Sequence, residues 1–157
     1  MAGSTDAERR YLEDFAAGDR LDVPGSYEMT PERVREFAAA YDPQAIHLDA
    51  EAAAGEFFGR LVASGWHGLA VTARLMVDAR PLGDAPLIGA GIENLKFLAP
   101  ILPGDVLRVE AEVLDTRASR SRPDRGFLRL RLLTRRQDGT PVLTQDWSLL
   151  LPTNQQK

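Results

Sequence analysis

The chain of 157 residues contains no cysteine. That single absence excludes a disulfide framework, a thiolate metal site and a cysteine nucleophile. No run approaches the roughly 18–20 apolar residues of a membrane-spanning helix, so no membrane association is expected. The opening MAGSTDAERR has no apolar core of the kind a signal peptide needs, and the cytoplasm is the expected location. Histidine is scarce: only His47 and His67 occur. With scattered carboxylates they make no recognisable metal-ligand set. There is also no Gly-rich phosphate loop and no nucleophile-elbow motif. No metal and no cofactor is therefore expected.

What is present describes one ordinary globular domain. Hydrophobic residues make up 44% and charged residues 27% of the chain. A chain of this size buries roughly 70% of its unfolded surface, so one core suffices. The net charge of -4 argues against nucleic-acid binding. No repeat or linker divides the chain. Residues 11–151 read as one domain, with 1–10 and 152–157 as flexible ends.

Thr30-Pro31-Glu32 marks a helix start, because threonine caps free N–H groups and proline suits the first helical position. Val34, Phe37, Ala38 and Tyr41 follow at helical spacing. Pro43 pushes Asp42 out of helical geometry, so this helix stops near Tyr41. Asp49 is placed to cap a short helix over Ala50 to Ala54. From about Trp66 to Ala79 the chain is apolar almost all round, which predicts a helix inside the domain. The second half alternates instead. Leu107, Val109, Ala111 and Val113, then Leu128, Leu130 and Leu132, follow a period of two and read as half-buried strands. Asp138-Gly139 is a hairpin turn between strands at about 126–137 and 141–150. An earlier strand is expected at about Leu87 to Leu98. Helices followed by antiparallel strands imply an α+β domain, its sheet wrapped around the buried helix.

The chemistry concentrates in YDPQAIH. Asp42 and His47 stand five residues apart across a helix end and a proline-bearing stretch. Folded back together, a carboxylate and an imidazole can hold a water and share its protons. On the residues alone, the alternative is that Asp42 caps a turn and His47 bonds a carbonyl. Gly65 opens the apolar helix. There it offers a free N–H and close approach to the backbone, the requirements of an oxyanion hole. It could equally serve tight helix–strand packing. Ser64 reads as that helix's cap, Trp66 as a core or dimer contact, and His67 as a satisfied core histidine. Arg117, Arg120, Arg122 and Arg125, with Arg135 and Arg136 close across the hairpin, form a basic cluster. It suits either a phosphate-bearing ligand or a solvated surface.

The stretch 41–47 resembles the hydratase motif of the MaoC-like family, which includes (R)-specific enoyl-CoA hydratases. That motif runs roughly Asp-x-Asn-Pro-aliphatic-His. Asp42, Ile46 and His47 fall in register, while Gln44 and Ala45 replace its Asn and Pro. FGRLVASGWH and NLKFLAPILPGDVLRVEAEV resemble the family's entry to its central helix and its following turn and strand.

The resemblance implies a single hot-dog domain of α+β class. It implies a hydratase or dehydratase that interconverts trans-2-enoyl and (R)-3-hydroxyacyl thioesters, carried by coenzyme A or an acyl carrier protein. In that scheme Asp42 and His47 activate water, and the Gly65 N–H holds the thioester oxygen. A homodimer or higher homo-oligomer is implied as well. A hot-dog acyl-CoA thioesterase and a non-catalytic acyl-thioester-binding subunit remain the alternatives.

Overall fold

The computed structural model describes residues 8–154. Two short strands, β1 (Arg20–Leu21) and β2 (Tyr27–Glu28), precede four helices. These are α1 (Pro31–Tyr41), α2 (Ala45–Leu48), α3 (Ala50–Ala54) and α4 (Gly65–Ala79). Four long strands follow: β3 (Ile88–Phe97), β4 (Val106–Ala118), β5 (Arg125–Arg135) and β6 (Pro141–Pro152). The sheet order is β1-β4-β5-β6-β3, with β2 also on β4, and every pairing is antiparallel. α4 lies against the inner face of this sheet, the hot-dog arrangement of an α+β domain.

The alternating strands pack as their pattern requires. Leu128, Leu130 and Leu132 of β5 are fully buried, as are Leu107 and Val113 of β4 to within 1%. They meet Val71, Leu75 and Met76 of α4 in one core. The opposite face of the sheet is charged: Arg129 pairs with Asp115, Arg131 with Asp146 and Arg135 with Glu110.

The helix boundaries follow from local chemistry. Thr30 Oγ1 accepts from the Arg33 N–H at 3.2 Å, and Pro31 is the first residue of α1. α1 ends at Tyr41, just before Asp42-Pro43. Asp49 caps α3 by accepting from the Glu51 and Ala52 N–H groups. One helix was not legible. The stretch expected to be irregular contains the single turn α2, which carries His47.

Two expectations require correction. α4 is not enclosed on all sides: Trp66 and Val77 are 62% and 57% exposed, and Arg74 pairs with Asp78 on the outer side. Its buried residues face the sheet and, at His67, α1. The arginines also do not form one cluster. Arg117 pairs in register with Phe127, whereas Arg135 pairs with Arg108 at the far end of the same ladder. Ten residues of strand, at about 3.3 Å each, hold Arg125 and Arg135 roughly 30 Å apart.

Residues 1–7 and 155–157, within the ends expected to be flexible, lie outside the described residues. The Arg10 N–H donates to the Leu82 carbonyl at 3.2 Å, and the Thr153 N–H to Asp124 at 3.1 Å. No described helix is long and apolar enough to cross a membrane.

Leu130→Ala tests the shared core. Truncating this fully buried side chain should lower unfolding stability by about 2–5 kcal/mol. The check is a lower urea midpoint with an unchanged slope.

Candidate active site

Asp42 and His47 meet. The His47 Nε2 lies 3.2 Å from Asp42 Oδ2. The local fold explains the meeting. Pro43 turns the chain out of α1, and the Gln44 N–H bonds the Asp42 carbonyl at 2.8 Å. The chain then re-enters a helical turn that swings His47 back toward Asp42.

Each partner is held from a second direction. His47 Nδ1 is 2.7 Å from the Val62 carbonyl. A carbonyl only accepts, so Nδ1 carries a hydrogen and donates it. Nε2 is therefore the ring atom that exchanges a proton, and it faces Asp42. The carboxylate receives two further hydrogen bonds. Gln44 Nε2 donates to Oδ1 at 2.7 Å, and Ser64 Oγ donates to Oδ2 at 2.7 Å. These bonds, Gln44's first and Ser64's second, hold the Asp42 carboxyl below its ordinary value, and the His47 charge adds to them. The site thus keeps an ionised carboxylate beside the proton-exchanging nitrogen of an imidazole, the equipment of general acid–base chemistry.

Ser64 does more than the cap expected of it. It is fully buried, and its oxygen also accepts from the Trp66 N–H at 3.2 Å. One hydroxyl thus joins the start of α4 to the carboxylate. The first-turn N–H groups of His67 and Gly68 go to the Ser64 carbonyl. Among the described residues, only the Gly65 N–H of that turn has no acceptor. A free N–H at a helix N-terminus attracts negative charge.

The structure also gives a reason for glycine at position 65. Its φ is not positive, so the backbone does not require glycine. A Cβ there would lie 2.5, 2.9 and 3.0 Å from three atoms of the Phe97 ring. A side chain at this position would require the Phe97 ring to move.

Asp42, His47 and Gly65 line one cavity of about 420 Å³. Phe58, Val62, Trp66, Phe97, Ile101 and Leu143 make most of its remaining wall, so it is chiefly apolar. Trp66 belongs to this rim and not to the core. His67 is in the core, stacked on Phe37 at 4.5 Å and edge-on to Tyr27. It is not satisfied, however, because its buried Nδ1 has no hydrogen-bond partner. Burial, and secondarily the Arg33 charge, push its pKa down to about 4. The Arg117–Arg125 group sits on the β4–β5 hairpin, where Arg122 and Arg125 pair with Asp124. The cavity lined by Asp42 and His47 instead adjoins the opposite ends of β3 and β6. No described group of three or more His, Asp and Glu residues could hold a metal ion.

An Asp–His pair thus stands at the head of the central helix of a hot-dog domain, open to an apolar cavity. The chain belongs to the MaoC-like domain family, whose sequence profile matches residues 14–126. The structure is similar to that of a MaoC-like dehydratase from Rhodospirillum rubrum, with TM-score 0.83 and 39% identity, covering 92% of this chain and 97% of the other. The uncharacterized protein YdeM of Bacillus subtilis (strain 168) is 29% identical over 140 residues, 89% of this chain and 97% of YdeM. The 3-hydroxyacyl-thioester dehydratase Z of Mycobacterium tuberculosis is 33% identical over 101 residues, 63% of this chain and 67% of that protein.

Two outcomes follow from the hydrogen-bond geometry. Ser64→Ala removes a donor from Asp42, so the carboxyl pKa should rise toward its ordinary value. A carbon-13 NMR titration of the Asp42 carboxyl should show that upward shift. His67 is neutral when folded, with a pKa of about 4 against 6.5 unfolded. The unfolded chain therefore binds the extra proton first, and stability should fall as pH drops from about 6.5 to 4. The full effect is about 3 kcal/mol at 1.36 kcal/mol per unit. In His67→Phe that decline should flatten, as read from Tm across this pH range.

Proposed function

We propose that this protein catalyses the reversible hydration of a trans-2-enoyl thioester to an (R)-3-hydroxyacyl thioester, with coenzyme A as the carrier. The observation that carries this reading is the close Asp42–His47 pair lining an apolar cavity with the free Gly65 N–H. Membership of a family with dehydratase relatives supports the reaction type.

Asp42 and His47 hold one water between their free edges. As its oxygen bonds to the β-carbon, its proton passes to the pair. The π electrons of the alkene shift toward the α-carbon and the thioester, so negative charge gathers on the thioester oxygen. The Gly65 N–H donates to that oxygen, where a fixed dipole in a dry site acts most strongly. The pair then delivers a proton to the α-carbon. Water is added across the double bond, and the site returns to its starting state. Dehydration runs the same steps backward. The apolar cavity receives the acyl chain.

The working unit in this reading is a homodimer. β3 is an edge strand of the sheet, its Ile88 and Ile92 are about half exposed, and Ile92 shares a surface hollow with Val77 of α4. An apolar unpaired edge invites a second strand, and a second copy of β3 would supply one.

The first test follows the enoyl absorbance of crotonyl-CoA, with free thiol measured in parallel. Loss of the enoyl band without thiol release is the expected result. Thiol release would instead make the protein a thioesterase. Asp42→Asn keeps the shape and removes the base, so turnover should fall about 10²–10⁴-fold while Tm stays near wild type. Wild-type turnover in that variant would remove Asp42 from the mechanism.

A further inference from the structure

Phe97 is the last residue of β3, and its backbone is pinned. It pairs with Leu143 of β6, and the next N–H, from Leu98, donates to the Val142 carbonyl at 2.9 Å. Its ring lies against the Gly65 Cα, since a Cβ on Gly65 would be as close as 2.5 Å to it. The same residue borders the cavity that holds Asp42 and His47, yet is 58% exposed. The ring thus lies against the start of α4 on one side and is little covered on the other. It stands directly beside the residue whose free N–H marks where a thioester oxygen would be received.

We propose that Phe97 determines acyl specificity, by forming the wall beside the thioester carbonyl and excluding substituents on the adjacent α-carbon. The inference rests on the hydratase reading above and adds a substrate class to it: enoyl thioesters unbranched at the α-carbon. The same wall occupies the space of the side chain that Gly65 lacks. A methyl branch on the substrate, like a Cβ on residue 65, would have to occupy space the ring fills. Apolar pockets discriminate one carbon by about 10–200-fold, which sets the scale of the expected preference.

The test uses the full-length protein as wild type, Phe97→Ala, Phe97→Leu, Gly65→Ala and the double variant Gly65→Ala/Phe97→Ala. Hydration of crotonyl-CoA and 2-methylcrotonyl-CoA gives two kcat/KM values for each. Calorimetric Kd values for butyryl-CoA and 2-methylbutyryl-CoA give a preference that needs no turnover. Phe97→Ala should raise the branched-to-unbranched ratio at least 10-fold by both measures, with Phe97→Leu intermediate. Gly65→Ala should lower Tm in the wild-type background and lower it much less beside Phe97→Ala. Unchanged ratios in Phe97→Ala and Phe97→Leu would overturn the specificity role. An equal Tm loss from Gly65→Ala in both backgrounds would overturn the steric account of Gly65. If no variant hydrates either substrate but the Kd ratio still shifts, the hydratase reading fails and the selecting role of Phe97 stands.

Discussion

Ser64 donates its hydroxyl hydrogen to Asp42 and accepts from the Trp66 N–H with the same oxygen. The rest of the site depends on this one group. α1 delivers Asp42 at its end, and α4 begins at Gly65. No other side-chain hydrogen bond among the described residues connects the end of α1 to the head of α4. Ser64 itself is fully buried. An unmade bond there would leave a desolvated polar group, which costs more than an exposed one.

From that junction the electrostatics follow. Gln44 and Ser64 each donate to one carboxylate oxygen of Asp42, which favours its ionised form. Val62 fixes His47 through Nδ1, leaving Nε2 as the proton-exchanging atom. The departure of this chain from its family's motif also acquires a physical meaning. Gln44 stands where the motif has Asn, and its longer amide reaches Asp42 Oδ1.

The packing constraint is of a different kind. The head of α4 abuts the end of β3, and Gly65 is the contact point. Gly68, one turn on, repeats the arrangement: a Cβ there would lie 2.7 Å from Ile101. Two glycines on one face let the head of the helix lie close to Phe97 and Ile101, both of which line the cavity. The close seating of the helix and the shape of the cavity are one structural fact. The orphaned Nδ1 of His67 is the opposite case: a buried polar atom whose stacking on Phe37 packs α1 against α4 while leaving a hydrogen bond unmade.

Period-two alternation, the Thr30-Pro31 start, the Asp49 cap and the Asp-Gly turn were decided locally, because caps, turns and strand faces depend on neighbouring residues. These features made the α+β class and most element boundaries legible. The Asp42–His47 pair was visible as a candidate because the resemblance to a known motif supplied its partner, although the turn α2 that joins the two residues was not. Tertiary structure alone decided the rest. Ser64 looked like a cap until α1 was seen to end beside it, 22 residues earlier in the chain. Gly65 was open to two explanations until Phe97, from another element, was found in the space of its missing side chain. Trp66 lies outside the core, on the cavity rim, and the basic cluster separated along a ladder of ten residues. Such contacts join residues distant in the chain, and no local pattern encodes which distant group will fill a given space.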